Sequence, residues 1–255
     1  MELSRRLSAI AAMVGSGGRL ADIGTDHGYL PIFLVETGAS PSAIAMDIKE
    51  GPLCRAAAHV AEHGLTDKIE VRKSNGLSAL RPGEADTAVI AGMGGLLMIR
   101  ILKEGRETAL SLKRLVLSPQ SEIGEVRRYL LGNGFGIFRE NMVFDEGKYY
   151  VILEAGKAEN QGPWSYIEEE YGKYLIESGS PVVREYLEKE RRTLEGIREK
   201  LKKAGTERAG ERLKKVEKQL GMTMEAAGRL GNSGLWPEKE AVHGSKMQQD
   251  HGMVQ

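Results

Sequence analysis

The residues with the greatest chemical potential sit together near the N-terminus, in the run Asp22-Ile23-Gly24-Thr25-Asp26-His27-Gly28-Tyr29-Leu30-Pro31. The run follows an apolar, strand-like segment and opens a helix-like one. Gly24 lets the backbone turn tightly against a ligand, and Gly28 lets the following helix pack close. A glycine turn at this place ordinarily admits a pyrophosphate. Here Asp26 and His27 stand in the loop, and a carboxylate repels a dianion at short range. The same loop suits a cation: the sulfonium and ammonium groups of S-adenosylmethionine are of that kind.

Three further places repeat the pattern of a short apolar run ending in a polar or glycine-rich turn. Asp47 ends the second run and lies 25 residues after Asp22, near the ~20-residue offset of an acid that binds ribose hydroxyls. Its alternative is a helix-capping aspartate before Ile48-Lys49-Glu50. Asn75-Gly76-Leu77 follows the third run, where the Asn75 side chain could accept from an adenine amino group. As an isolated pair, Asn-Gly is an ordinary turn. Ala91-Gly92-Met93-Gly94-Gly95 ends the fourth run, and its three glycines leave room for a flat base or a cofactor. A tight turn into the next helix needs only one of them.

These turns require a scaffold that brings strand ends to one edge. Strands are expected over Leu20–Ile23, Ser42–Met46, Ile69–Val71, Thr87–Ala91 and Leu115–Leu117. Helices are expected over Tyr29–Glu36, Pro52–His63, Leu96–Leu102 and Ile123–Leu131. Alternation of this kind predicts a parallel, doubly wound α/β sheet. Two β-rich runs follow, Gly136–Phe144 and Tyr149–Ala155, joined by Asp145-Glu146-Gly147-Lys148. They predict a closing antiparallel hairpin, similar to the ending of Rossmann-like methyltransferases.

Past Lys157 the composition changes, and Asn160-Gln161-Gly162-Pro163 reads as a linker. Val183, Leu187, Leu194, Ile197, Leu201 and Ala204 repeat at a spacing near 3.5, and Leu213, Val216, Leu220 and Ala227 follow suit. Two amphipathic helices joined near Gly205 and Gly210 make a coiled-coil-like helical hairpin. Three regions result: residues 1–158 as the cofactor-binding domain, 164–230 as the helical domain, and 231–255 as a disordered tail. The 36 basic and 36 acidic side chains cancel overall, yet the helical hairpin is locally basic. Lys202, Lys203, Lys214 and Lys215 are its candidate phosphate contacts, against the alternative of a solvated face. No apolar stretch approaches the length of a membrane span, and a single cysteine, Cys54, suits a reducing cytoplasm. Neither a metal site nor an obligate protein partner is expected.

Leu3-Ser4-Arg5-Arg6-Leu7, the run from Ala21 to Pro31, Gly51-Pro52, and Ala91-Gly92-Met93-Gly94-Gly95 together resemble the bacterial tRNA (adenine(22)-N1)-methyltransferases of the TrmK type. The resemblance covers the whole α/β region. It implies a Rossmann-like class I methyltransferase, S-adenosyl-L-methionine as cofactor, and tRNA as substrate. It further implies that Arg6, Asp22, Gly24, Thr25, His27, Gly28, Asp47, Ile48, Asn75, Gly76, Ala91, Gly92 and Met93 line the cofactor site. Asp26 then faces the reacting centre as the catalytic residue. The residues themselves leave open an rRNA or small-molecule methyltransferase, or an RNA-binding module without turnover.

Overall fold

The computed structural model describes residues 1–159, 161–204 and 206–231. The expected tail from residue 232 onward, and Gly205 in the expected helical turn, lie outside the described residues.

The chain opens on helix α1 (Arg5–Val14), which Ser4 caps by accepting from the Leu7 amide at 3.2 Å. Strands β1 (Leu20–Ile23), β2 (Ala43–Asp47), β3 (Ile69–Lys73), β4 (Thr87–Ala91) and β5 (Arg114–Ser118) alternate with helices. Those helices are α2 (Tyr29–Glu36), α3 (Glu50–Glu62), α4 (Gly95–Glu104) and a short α5 (Arg106–Ser111). After β5 come α6 (Ile123–Gly132) and the hairpin β6 (Phe135–Asp145) and β7 (Lys148–Lys157). The described strands form one seven-stranded sheet in the order β3-β2-β1-β4-β5-β7-β6. The first five are parallel, and β7 runs antiparallel to both β5 and β6. The doubly wound sheet with its closing hairpin is therefore as expected.

Central β1 and β4 are buried along their length except at Ala91. Two helical layers force this. One apolar cluster on the α1–α2–α3 face gathers Ile10, Leu30, Ile32, Leu34 and Val60. Another on the opposite face gathers Met98, Leu102, Val126 and Leu130. At the hairpin tip Glu146 and Gly147 both have positive φ (47° and 80°), the conformation a two-residue hairpin loop takes to match strand twist.

Beyond the hairpin lie α7 (Tyr166–Tyr171), α8 (Lys173–Ser178), α9 (Pro181–Ala204) and α10 (Glu207–Gly228). The two long helices pack against each other as a hairpin. Their base is not detached: Trp164, Tyr171, Leu175, Val183, Leu187, Met222 and Ala226 share one apolar cluster with Met142 and Val126. A buried ion pair pins the junction. The Arg127 guanidinium donates to Glu140 at 2.8 Å, with side-chain exposures of 1% and 0%. Arg127 also donates to the carbonyls of Glu169 and Glu170, and Glu140 accepts from the Tyr174 amide. Gly172 passes so close (φ 93°) that a Cβ there would lie 2.7 Å from both Glu140 carboxylate oxygens. The division near residues 158–164 is thus one of chain topology, and the core crosses it.

Candidate functional site

In a parallel sheet with helices on both faces, the loops after β1 and β4 leave in opposite directions. The crevice between them is open to ligands. The loop after β1 is closed onto β2: the Gly24 and Thr25 amides both donate to the Met46 carbonyl, at 2.8 and 2.9 Å. The loop after β4 is closed onto the turn after β5: Gly92 donates to Ser118, Gly95 to Ser121, and Gln120 back to Met93. The loop after β3 is tied down when Ser74 donates to the Asp47 carbonyl at 2.9 Å and its hydroxyl donates to Gly76 at 2.8 Å.

These turns surround a cavity of about 310 Å³. Gly24, Asp47, Ile48, Asn75, Gly76 and Met93, all singled out in the sequence, line it. Ser74, Leu97, Arg100 and Glu104 line it as well and were not anticipated. Leu97, Arg100 and Glu104 share one face of α4 by their spacing. An exposed leucine on an otherwise charged face was the available signal, and Leu97 is 49% exposed.

The acids differ in state. One carboxylate oxygen of Asp47 accepts from the Lys49 amide at 2.7 Å, so Asp47 shapes the start of α3 and lines the cavity at once. Asp22 is buried in β1 at 8% exposure. Burial pushes its carboxyl up to about 6; the Thr25 hydroxyl opposes this, Asp47 adds to the rise, and Arg6 opposes it. Arg6 reaches the site from α1. Its backbone amide donates to Asp145 on the hairpin at 2.9 Å, its guanidinium lies 5.2 Å from the Tyr150 ring centre, and it faces Gly92. Ala91 ends β4 on the same side.

The remaining expected residues stand apart from the cavity wall. Asp26, with 63% of its side chain exposed, is held by an ion pair to Arg55, and His27 Nε2 lies 3.4 Å from it. The Arg55 hydrogen bond holds the Asp26 carboxyl below the usual carboxylate range, over an opposing effect of desolvation and with a lesser contribution from His27. Gly28 packs on Ala56, its notional Cβ 3.4 Å away, as expected for a close helix approach. Thr25 is buried beside Asp22. Lys202, Lys203, Lys214 and Lys215 lie exposed on the helical hairpin and do not line the cavity.

The cavity suits a nucleoside with a cationic substituent. It offers a carboxylate at the end of β2, an amide side chain at Asn75, and apolar walls from Ile48, Leu97 and Ile101. A second carboxylate, that of buried Asp22, lies within electrostatic reach of Asp47. No phosphate-binding lysine or arginine stands in the glycine loop. Fold and cavity together define a Rossmann-like methyltransferase that uses S-adenosyl-L-methionine.

A family model described as a methyltransferase domain matches residues 3–153. The tRNA (adenine(22)-N(1))-methyltransferase of Bacillus subtilis strain 168 is 37% identical over 155 residues, 61% of this chain and 65% of that one. The matched stretch thus spans just under two thirds of that relative. The crystal structure of the B. subtilis m1A22 tRNA methyltransferase TrmK superposes with a TM-score of 0.79 at 30% identity. It covers 89% of this chain and 99% of that one. A Streptococcus pneumoniae structure in complex with S-adenosyl-L-methionine gives 0.78 at 36% identity, over 89% of this chain and all of that one. The chain belongs to the TrmK family of tRNA methyltransferases. Among the described residues no helix is long and apolar enough to cross a membrane.

Proposed function

We propose that this protein transfers a methyl group from S-adenosyl-L-methionine to N1 of an adenine in tRNA, at position 22, and works in the cytoplasm. The observation that carries the reading is the cavity at the crevice between the β1 and β4 loops, lined by Asp47 and by Glu104 with Arg100 beside it, under a glycine loop that has no lysine or arginine. It occurs in a chain whose relatives of closely similar fold are m1A22 methyltransferases.

Bound S-adenosyl-L-methionine supplies an electrophilic methyl group. Adenine N1 carries its own lone pair, so the protein needs no strong base. Its task is to align the reacting atoms and exclude water. Asp47 is placed to accept from ribose hydroxyls and Asn75 from an amino group, while Ile48 and Leu97 flank a flat ring. Asp22 faces cationic charge from beneath. Methylation at N1 leaves the adenine ring cationic. Asp26 is the acid outside the cavity that can accept from the exocyclic amino group and stabilise that charge, once it exchanges its Arg55 partner for substrate. The four lysines of the helical hairpin contribute phosphate contacts.

Purified protein, labelled cofactor and unmodified tRNA, followed by nucleoside analysis, test the reading. The expected product is 1-methyladenosine, lost when adenine 22 is replaced. A different methylated base, or labelling of rRNA or a small molecule alone, would overturn it.

A further inference from the structure

Outside the cavity, on the same edge of the sheet, three rings lie nearly parallel. His27 and Tyr29 have centroids 5.0 Å apart at 9°, Tyr29 and His59 5.3 Å at 14°, and His27 and His59 5.5 Å at 20°. We propose that this ring cluster, with Arg55 beside it, is a landing site for an unpaired nucleobase of the substrate RNA next to the methylated adenine. The inference rests on the tRNA-methylating reading above.

The cluster is built. Gly28 packs on Ala56 and brings the start of α2 against α3. Arg55 and His59 are four residues apart on α3 and so face the same loop. Arg55 pairs with Asp26. His59 Nδ1–H donates to the His27 carbonyl at 2.9 Å, which fixes the imidazole's orientation. Two independent contacts therefore hold the rings in register.

The cluster is also open. Tyr29 is 40% exposed, although the residues that follow it in α2, Leu30 to Ile32, are buried apolar positions. The side chains of Arg55 and His27 are 46% and 34% exposed. None of His27, Tyr29, Arg55 and His59 lines the cofactor cavity. A flat, solvent-facing π surface with a guanidinium at its margin matches a nucleobase and its phosphate, because every base has a π-face and arginine pairs with phosphate. The reaction creates the need. N1 lies on the Watson–Crick edge, so a paired adenine must be exposed, and the disrupted stack leaves a neighbouring base without a partner.

Tyr29→Leu removes the ring and keeps apolar bulk; Tyr29→Phe keeps the ring. Both are measured as full-length protein: filter binding to unmodified tRNA, calorimetry with S-adenosyl-L-methionine, and thermal melting. Stacking of one base predicts about tenfold weaker tRNA binding for Tyr29→Leu and less than about twofold change for Tyr29→Phe. Cofactor affinity stays unchanged in both. A 2-aminopurine placed beside the target adenine should be quenched by the wild type and Tyr29→Phe, and not by Tyr29→Leu. If Tyr29→Leu melts early, Arg55→Met tests the guanidinium instead; because it also releases Asp26, thermal melting and cofactor affinity are measured beside it, with weaker tRNA binding and a shallower salt slope expected. Undiminished tRNA affinity in the folded variants, or cofactor affinity falling in step, would overturn the landing site. Wild-type methylation of tRNA is scored separately. Its absence would overturn the activity reading, whereas its presence with unaffected variants would overturn only the platform.

Discussion

The terminal methyl of Met93 lies where a side chain at Gly24 would begin. The two residues come from the loops after β1 and β4, so this approach spans the crevice in which the ligand must sit. Gly24 also has φ +81°, a region that costs an L-residue about 1–2 kcal/mol. Gly24→Val should therefore fold less stably and lose cofactor binding by more than about tenfold, which is about 1.4 kcal/mol. Gly24→Ala combined with Met93→Ala should bind better than Gly24→Ala alone, because the clash is relieved and the backbone strain stays. Calorimetry on the three variants checks this, and equal affinities would remove the loop from the site.

Asp22 predicts a pH dependence. Its folded pKa is raised from 3.8 to about 6 by burial. A cationic ligand favours the ionised carboxylate, so cofactor affinity should be full above pH 6 and fall as pH drops through 6. Binding at pH 5 should release a proton, visible by calorimetry in buffers of different ionisation enthalpy. The unliganded protein has the opposite trend. Because the folded state holds this proton to higher pH than the unfolded chain, Asp22's contribution to stability declines as pH rises from 3.8 to about 6. Asp22→Asn should flatten both profiles.

Asp26→Asn keeps size and loses charge. If the carboxylate stabilises the cationic ring, the folded variant should bind cofactor normally and turn over more slowly, on the order of a hundredfold. Single-turnover rates with saturating tRNA check it. A collapse of cofactor affinity would make Asp26 a cofactor ligand instead.

What the sequence revealed follows from the range of its signals. The β1–β4 turns were legible because Gly24, Asp47 and Gly92 interrupt apolar runs too buried to be anything but central strands. The long helices were legible from the spacing of Leu194, Leu201, Val216 and Leu220. The short helices at Arg106–Ser111, Tyr166–Tyr171 and Lys173–Ser178 were not, since six residues hold under two turns and leave no period to detect. Arg55 and His59 escaped notice for a different reason. They meet the Asp26 loop only through the packing of α3 on α2, a relationship with no local pattern. The Arg127–Glu140 pair likewise joins an ordinary-looking helix to a strand.

That pair predicts where the fold is brittle. Removing one member leaves a buried charge alone, so Glu140→Ala should cost about 3–5 kcal/mol. The paired replacement Arg127→Met with Glu140→Leu should cost less, because no orphaned charge remains. Urea unfolding of each variant reads this directly. Because Glu140 and Arg127 also hold α7 and α8, proteolysis of the single variant should release the helical hairpin first.

The helical hairpin supplies the last prediction. Lys202, Lys203, Lys214 and Lys215 are exposed, and among the described residues none makes an ion pair. Other charges on α9, such as Arg191 with Glu188 and Glu195, are already paired along the helix. The four lysines are therefore free to meet an external anion. None of the four lines the cavity, and at 1.5 Å per residue Lys202 lies about 22 Å along α9 from Leu187, the last residue of α9 buried in the shared core. Replacing all four by glutamate should weaken tRNA binding and make its salt dependence shallower, by up to about 0.9 in slope for each phosphate left unneutralised. Cofactor affinity should not move. Repulsion by the added acids could mimic the weaker binding, so the four glutamine replacements serve as the decisive set: they too should lower the slope. An unchanged slope in the glutamine variant would mean that this face is merely solvated. A change of mass by light scattering would mean that it pairs with a second copy of the chain.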